Sequence, residues 1–171
     1  MKIFNFLLLS VAILTIAACD DDFDIETAEI GGTWVGTAVD YTGTSVTMAS
    51  GFVLTTDFVG EGYDINYTLD FSENPNVIVA EGVYSVKLTN ITPGQETVQD
   101  ITNIQFDTTG PWGKEGDILK ITNQLGDEVK LTIVELSATT LELQAIQEQV
   151  TAVTGGSSTT TIDITYKYTR Q

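Results

Sequence analysis

The chain has 171 residues and sets 7 Lys and Arg against 24 Asp and Glu, a formal charge of −17, while 42% of it is hydrophobic. That balance describes a folded, acid-coated domain and not a disordered acidic tail, and a polyanion of this kind is repelled by nucleic-acid backbones and by anionic lipid headgroups. With no His and a single Cys, a Ser-His-Asp or Cys-His arrangement, a Cys/His zinc site and an internal disulfide are excluded, so neither an enzyme nor a cofactor is expected.

Residues 1–18 begin with Lys2 and continue as an apolar run from Ile3 to Ala18, interrupted only by Asn5, Ser10 and Thr15. The run is short for a hydrocarbon core of about 30 Å and ends in small residues, the layout of a removable export signal. Ile16-Ala17-Ala18-Cys19 resembles the bacterial lipobox, in which an aliphatic residue and two small ones precede the cysteine; Ile stands where Leu is commoner. The resemblance implies cleavage before Cys19, acylation of its thiol and a lipid-anchored protein of the outer membrane, on its periplasmic face or at the cell surface. Two or three acyl chains, at about 0.8 kcal/mol per buried methylene, hold such a protein firmly.

Asp20-Asp21-Asp22-Phe23-Asp24, followed by Glu26 and Glu29, makes residues 19–30 an acidic tether. It is similar to the acidic run after the acylated cysteine of Bacteroidetes-type lipoproteins that reach the cell surface, and as residues alone it equally describes a solvated spacer.

From 31 to 171 the chain reads as one all-β domain. The clearest alternation runs from Tyr63 through Ile65, Tyr67 and Leu69 to Phe71, with a polar residue at each even position. Thr161 to Thr169 repeats it with Ile162, Ile164, Tyr166 and Tyr168 on one face, and Leu141 to Ala145 alternates as cleanly. Less regular strands are expected over Trp34 to Tyr41, Val46 to Phe58, Val77 to Leu88, Val98 to Phe106, Ile118 to Thr122 and Val129 to Leu136. Turns are expected at Gly60-Glu61-Gly62, Asn74-Pro75-Asn76, Thr92-Pro93-Gly94, Gly110-Pro111-Trp112-Gly113, Gly126-Asp127 and Gly155-Gly156-Ser157-Ser158. Spacers this short join antiparallel neighbours. The expectation is a meander of eight or nine strands, and periodicity alone leaves up-and-down barrel and β-sandwich both open.

Gly32-Thr33-Trp34 resembles the Gly-x-Trp signature of lipocalins and their calycin relatives. In that family the Trp closes one end of an eight-stranded barrel and an Arg near the end of the last strands packs across it. Thr139-Thr140-Leu141-Glu142-Leu143, then a hairpin and a Tyr-rich closing strand, is similar to the tail of bacterial lipocalin-like lipoproteins. Carried over, the resemblance makes Trp34 and Arg170 the closing pair, Arg170 having the parity of Tyr166 and Tyr168, and implies a barrel that binds a small hydrophobic or amphipathic molecule. No second lipocalin signature is found between the middle strands.

On that reading Tyr63, Ile65, Tyr67, Leu69, Ile162, Ile164, Tyr166 and Tyr168 line the cavity, phenol hydroxyls orienting the ligand; each also fits a plain core position. The alternative is a β-domain without a ligand cavity whose loops engage a protein or glycan. Trp112, on a Gly/Pro loop, motivates it, and folding back to cap the barrel is the competing role. Asp107, Glu115 and Asp117 flank that loop as acids of a possible calcium site or acid pair, or as solvated surface; no metal is expected.

Overall fold

A computed structural model describes residues 29–171 apart from Asp107. The expected leader, Cys19 and the acidic run up to residue 28 lie outside the described residues, as does Asp107.

Nine strands follow one another without a helix among the described residues: β1 (Gly32–Ala49), β2 (Phe52–Ser72), β3 (Val77–Thr92), β4 (Gln95–Gln105), β5 (Gly110–Glu115), β6 (Ile118–Thr122), β7 (Glu128–Leu136), β8 (Thr140–Val153) and β9 (Gly156–Arg170). All pairings are antiparallel within one sheet of order β2-β1-β9-β8-β7-β6-β5-β3-β4, and a further β2–β3 pairing closes it into a ring. Eight strands make the ring; β4 hangs from β3 outside it.

The closure belongs to one end only. β3 meets β5 through Val77 with Pro111 and Ile78 with Gly110, and two bonds extend this seam, Trp112 N to the Asn76 carbonyl and Ala80 N to Thr109 Oγ1. Further along, β3 turns to β4 as its neighbour, and β8 beyond Gln144 keeps only β9. The result is a closed lower barrel from which a curved sheet of six strands, β8-β9-β1-β2-β3-β4, rises on one side. Its height is about ten residues, roughly 30 Å at the usual rise per residue. β5, β6 and β7 form a low wall opposite.

The lower barrel is filled. Trp34, Tyr67, Leu69, Ile78, Leu119, Ile121, Leu131, Ile133, Leu141, Leu143 and Tyr168 are all at most 2% exposed, one inward side chain per two residues, as the pleat requires.

Several strand limits differ from those the sequence suggested. Val46 to Phe58 is two strands, because Ser50 and Gly51, both with positive φ (50° and 85°), make a two-residue hairpin turn. Gly60-Glu61-Gly62 is no turn but the middle of β2; a side chain at 60 would press on Tyr41 and Val86, and one at 62 on the Val39 carbonyl. Gly110-Pro111-Trp112-Gly113, expected as a turn, belongs to β5. The turns at Asn74-Pro75-Asn76, Thr92-Pro93-Gly94 and Gly126-Asp127 stand as expected, and Gly155 lies in the turn before β9.

Candidate functional site

The closed end is built around Trp34. Its ring is fully buried, its Nε1 donates to the Ile30 carbonyl at 2.8 Å, and the Arg170 guanidinium carbon lies 4.2 Å from the ring centroid. Register explains the meeting, since Trp34 on β1 is the cross-strand partner of Arg170 on β9. The guanidinium also donates to three backbone carbonyls, Nε to Ala138, one terminal nitrogen to Gly31 and the other to Glu29. It thereby ties the segment entering the barrel to the β7–β8 turn.

Trp112 lies at the same end and not on a loop. It sits on β5 half-buried, packs edge-on against Phe71 with centroids 5.5 Å apart, and donates from Nε1 to the Ser72 carbonyl at 3.1 Å. The strand exists despite Pro and Gly because the Thr122 carbonyl approaches so closely that only a glycine fits at 110.

Above this floor the barrel is plugged by aromatic rings. Tyr67 packs against Tyr84, Phe106 and Tyr168, and Phe106 meets Tyr166 edge-on at 4.8 Å. Tyr41 and Tyr84 share a hydrogen bond between their hydroxyls at 2.7 Å. Tyr67 and Tyr168 bury hydroxyls that have no hydrogen-bond partner among the described residues. Burial pushes the phenols of Tyr41, Tyr67, Tyr84, Tyr166 and Tyr168 well above the usual tyrosine range, so each is a neutral group at physiological pH.

The residues expected to line a cavity are therefore distributed as follows. Tyr67, Leu69, Ile164, Tyr166 and Tyr168 belong to the packed core, with Ile65 and Ile162 against its margin. Tyr63 points outward, its hydroxyl 3.4 Å from Asp100 on β4. A bulge separates it from the rest: the β2–β3 register shifts between Tyr63 and Asn66, where Asp64 takes a φ of 49°. One extra residue reverses the facing of everything before it. β4 carries the same device, Asn103 at φ 57°, beside the register shift between Tyr84 and Val86 on β3.

Where the low wall ends, the plug opens into a cleft of about 530 Å³. Tyr84, Phe106 and Tyr166 form its base; Ala145 and Gln147 of β8 stand on one side and Gln105 with Thr108 on the other. Glu128 and Lys130, at the lip on β7, pair with each other at 3.2 Å. Sequence reasoning had placed Tyr41, Tyr84 and Phe106 on strands without assigning them a site. Their signal was their parity with Val39, Val86 and Ile104, but reading it requires the bulges.

The six-stranded sheet above the cleft separates charge from neutral polarity. On its outer face lie Asp40 of β1, Asp57 and Glu61 of β2, Lys87 of β3, Glu96 and Asp100 of β4, Glu148 of β8 and Asp163 of β9, each alternating with an inward neighbour. The inner face, in register with the core residues Val39, Tyr166 and Val86, carries no acid and no base. Ser45, Thr47, Ser158 and Thr160 form a hydroxyl cluster there with contacts of 2.9 to 3.1 Å.

Of the acids flanking β5, Asp107 lies outside the described residues. Glu115 is paired with Lys120 at 2.6 Å, and among the described residues no group of three or more acids or other ligands is placed to hold an ion. Compared with models of protein families, with curated proteins and with solved structures, the chain finds no match.

Proposed function

We propose that this protein is a lipid-anchored binding module, not an enzyme, which takes a small amphipathic molecule into the cleft above the tyrosine plug. The observation that carries the reading is the 530 Å³ cleft with an aromatic base, walls of Gln, Thr and aliphatic side chains, and charges only in the Glu128–Lys130 pair at its lip, a volume in the range of small-molecule sites. The ligand rests on the plug and not inside the lower barrel, whose interior is occupied by side chains. The lipobox at Ile16 to Cys19 and the acidic tether support an anchored, outward-held domain of the outer membrane, and the Gly-x-Trp opening supports a lipocalin-like lineage.

Two measurements address this. Cells expressing the protein are expected to incorporate a palmitate analogue, and Cys19→Ser to remove the label; equal labelling of both forms ends the anchoring claim. In the cleft, Phe106→Ala and Ala145→Trp, which removes a base ring or fills the side, are expected to weaken uptake of a fluorescent amphipath at least tenfold. Unchanged uptake by both variants rejects the cleft.

A second reading, an interaction module without a ligand, is favoured by one observation: Phe52, Val53, Leu54 and Val150 are more than half exposed at the hairpin tips of the tall sheet. Trp112, the residue that first suggested such a surface, is engaged in closing the barrel.

A further inference from the structure

We infer that the ligand of this cleft is an uncharged, hydroxyl-rich molecule, a neutral saccharide, gripped between the aromatic base and the inner face of the tall sheet. The inference rests on the reading of the cleft as a binding site and adds the chemical class.

The argument begins with charge. The chain holds 24 acids, and the tall sheet places those it carries, with its Lys87, on the outer face. An anionic ligand entering the trough meets the field of a protein at −17 with no inward cation to offset it. A cationic ligand finds no inward carboxylate, and the two charges at the lip are already spent on each other at 3.2 Å. Charged ligands of both signs are thereby disfavoured.

Polarity removes the other extreme. A hydrocarbon chain laid along the β8-β9-β1 side of the trough would cover Gln147 and Gln149 and the remaining bonding capacity of the Ser45, Thr47, Ser158 and Thr160 cluster, while Phe52, Leu54 and Phe58 make the β2 side of the same face apolar. Each covered donor or acceptor left without a partner costs about 1–3 kcal/mol. A ligand that returns those hydrogen bonds avoids the cost. Hydroxyls and amides both donate and accept, so this wall matches a ligand whose own groups are hydroxyls. At the base, Phe106 is the partly exposed ring above the buried Tyr84 and Tyr166, and its face suits the apolar C–H face of a pyranose. A saccharide presents both surfaces at once: an apolar ring face below and hydroxyl edges to the side. The trough continues past the cleft along about ten residues of strand, so the site is elongated and favours several sugar units in a row over one.

The test uses the full chain in proteoliposomes and four probes: maltohexaose, cellohexaose, polygalacturonate and a photoactivatable monoacylglycerol. Saturable binding of at least one neutral hexasaccharide, weakened tenfold or more by Gln147→Glu with Gln149→Glu, and unchanged by Val150→Glu with Ala152→Glu on the outer face of the same strand, supports the proposal. All four positions are exposed, so the variants keep the fold, which circular dichroism checks. Polygalacturonate binding as tightly as the neutral sugars overturns it. If no hexasaccharide binds while the monoacylglycerol labels the cleft at Phe106 or Tyr166, the saccharide class is overturned and the cleft stands. If neither probe class binds, both are overturned.

Discussion

Trp34 and Arg170 show what a pair of residues can do when register brings them together. The guanidinium covers the indole and caps three carbonyls, roughly 0.5–2 kcal/mol for the cation–π part with the hydrogen bonds in addition. This pair was legible in the sequence, because a Gly-x-Trp opening and the parity of Arg170 with Tyr166 and Tyr168 survive any uncertainty in between. The tyrosines are less economical. Tyr168 buries a hydroxyl with no partner among the described residues, and an unsatisfied buried hydroxyl is destabilising. Tyr168→Phe is therefore expected to raise stability by about 1 kcal/mol in urea unfolding, whereas Trp34→Ala lowers it by about 3–5 kcal/mol. A loss of stability in Tyr168→Phe would mean that the hydroxyl is bonded after all. The same burial sets the alkaline behaviour. Five phenols are held neutral far above the ordinary value near 10, so above that pH the unfolded chain releases protons that the folded one retains. Stability, intact below pH 10, is lost as pH climbs past it. Beyond the contribution of the outward-facing Tyr63, which ionises in the folded protein, absorbance of phenolate is expected to rise in step with unfolding and not ahead of it.

At the level of elements, strand existence was legible and strand limits were not. Alternation of apolar and polar residues located most of the sheet, because the lower barrel buries one face of each strand of the ring, β4 excepted, and the pattern records that burial. It failed wherever an extra residue reverses the facing. Asp64 and Asn103 adopt left-handed φ as short polar residues can, and nothing in their neighbours' hydropathy announces it. Tyr63 was thus assigned to the interior and stands outside. β5 was hidden by propensity, since a strand of Gly, Pro and Gly is read as a loop until the approaching Thr122 carbonyl is seen. That approach yields a paired prediction. Gly110→Ala drives a methyl into backbone at the seam between β3 and β5 and is expected to cost about 2–4 kcal/mol. Gly113→Ala, three residues along the same strand with open space around it, is expected to be neutral within about 0.5 kcal/mol. Thermal unfolding of the two variants compares them directly, and equal losses would mean that β5 is not held by this contact.

For the molecule as a whole, the candidate site arises because the strands are of unequal length. Long strands on one side and short ones on the other turn a closed barrel into a barrel with an open trough, a feature that no local pattern encodes. The open sheet leaves β4 and the upper half of β8 as unpaired edges, with Val98 61% and Val150 64% exposed beside them. Such edges invite pairing with other chains, and here the charge of −17 opposes it. Salt weakens that opposition, the screening length falling from about 30 Å at 0.01 M to about 3 Å at 1 M. Light scattering is expected to show growing association as salt is raised, suppressed by Val98→Lys with Val150→Lys. Association that is indifferent to salt and to those substitutions would place its origin elsewhere.

The incomplete rim also obeys a rule of direction. Neighbouring strands alternate, so that from the hairpin tips β4 descends while β8 ascends toward them. A lone segment bridging the two would run alongside one of them in the same sense, with the weaker, slanted bonding of parallel chains. Only an even number of strands completes the circle in uniform antiparallel order: none, with the two borders zipped together, or two, supplied as one hairpin. The opening therefore discriminates by count as well as by chemistry, and stray single strands are poor fits for it.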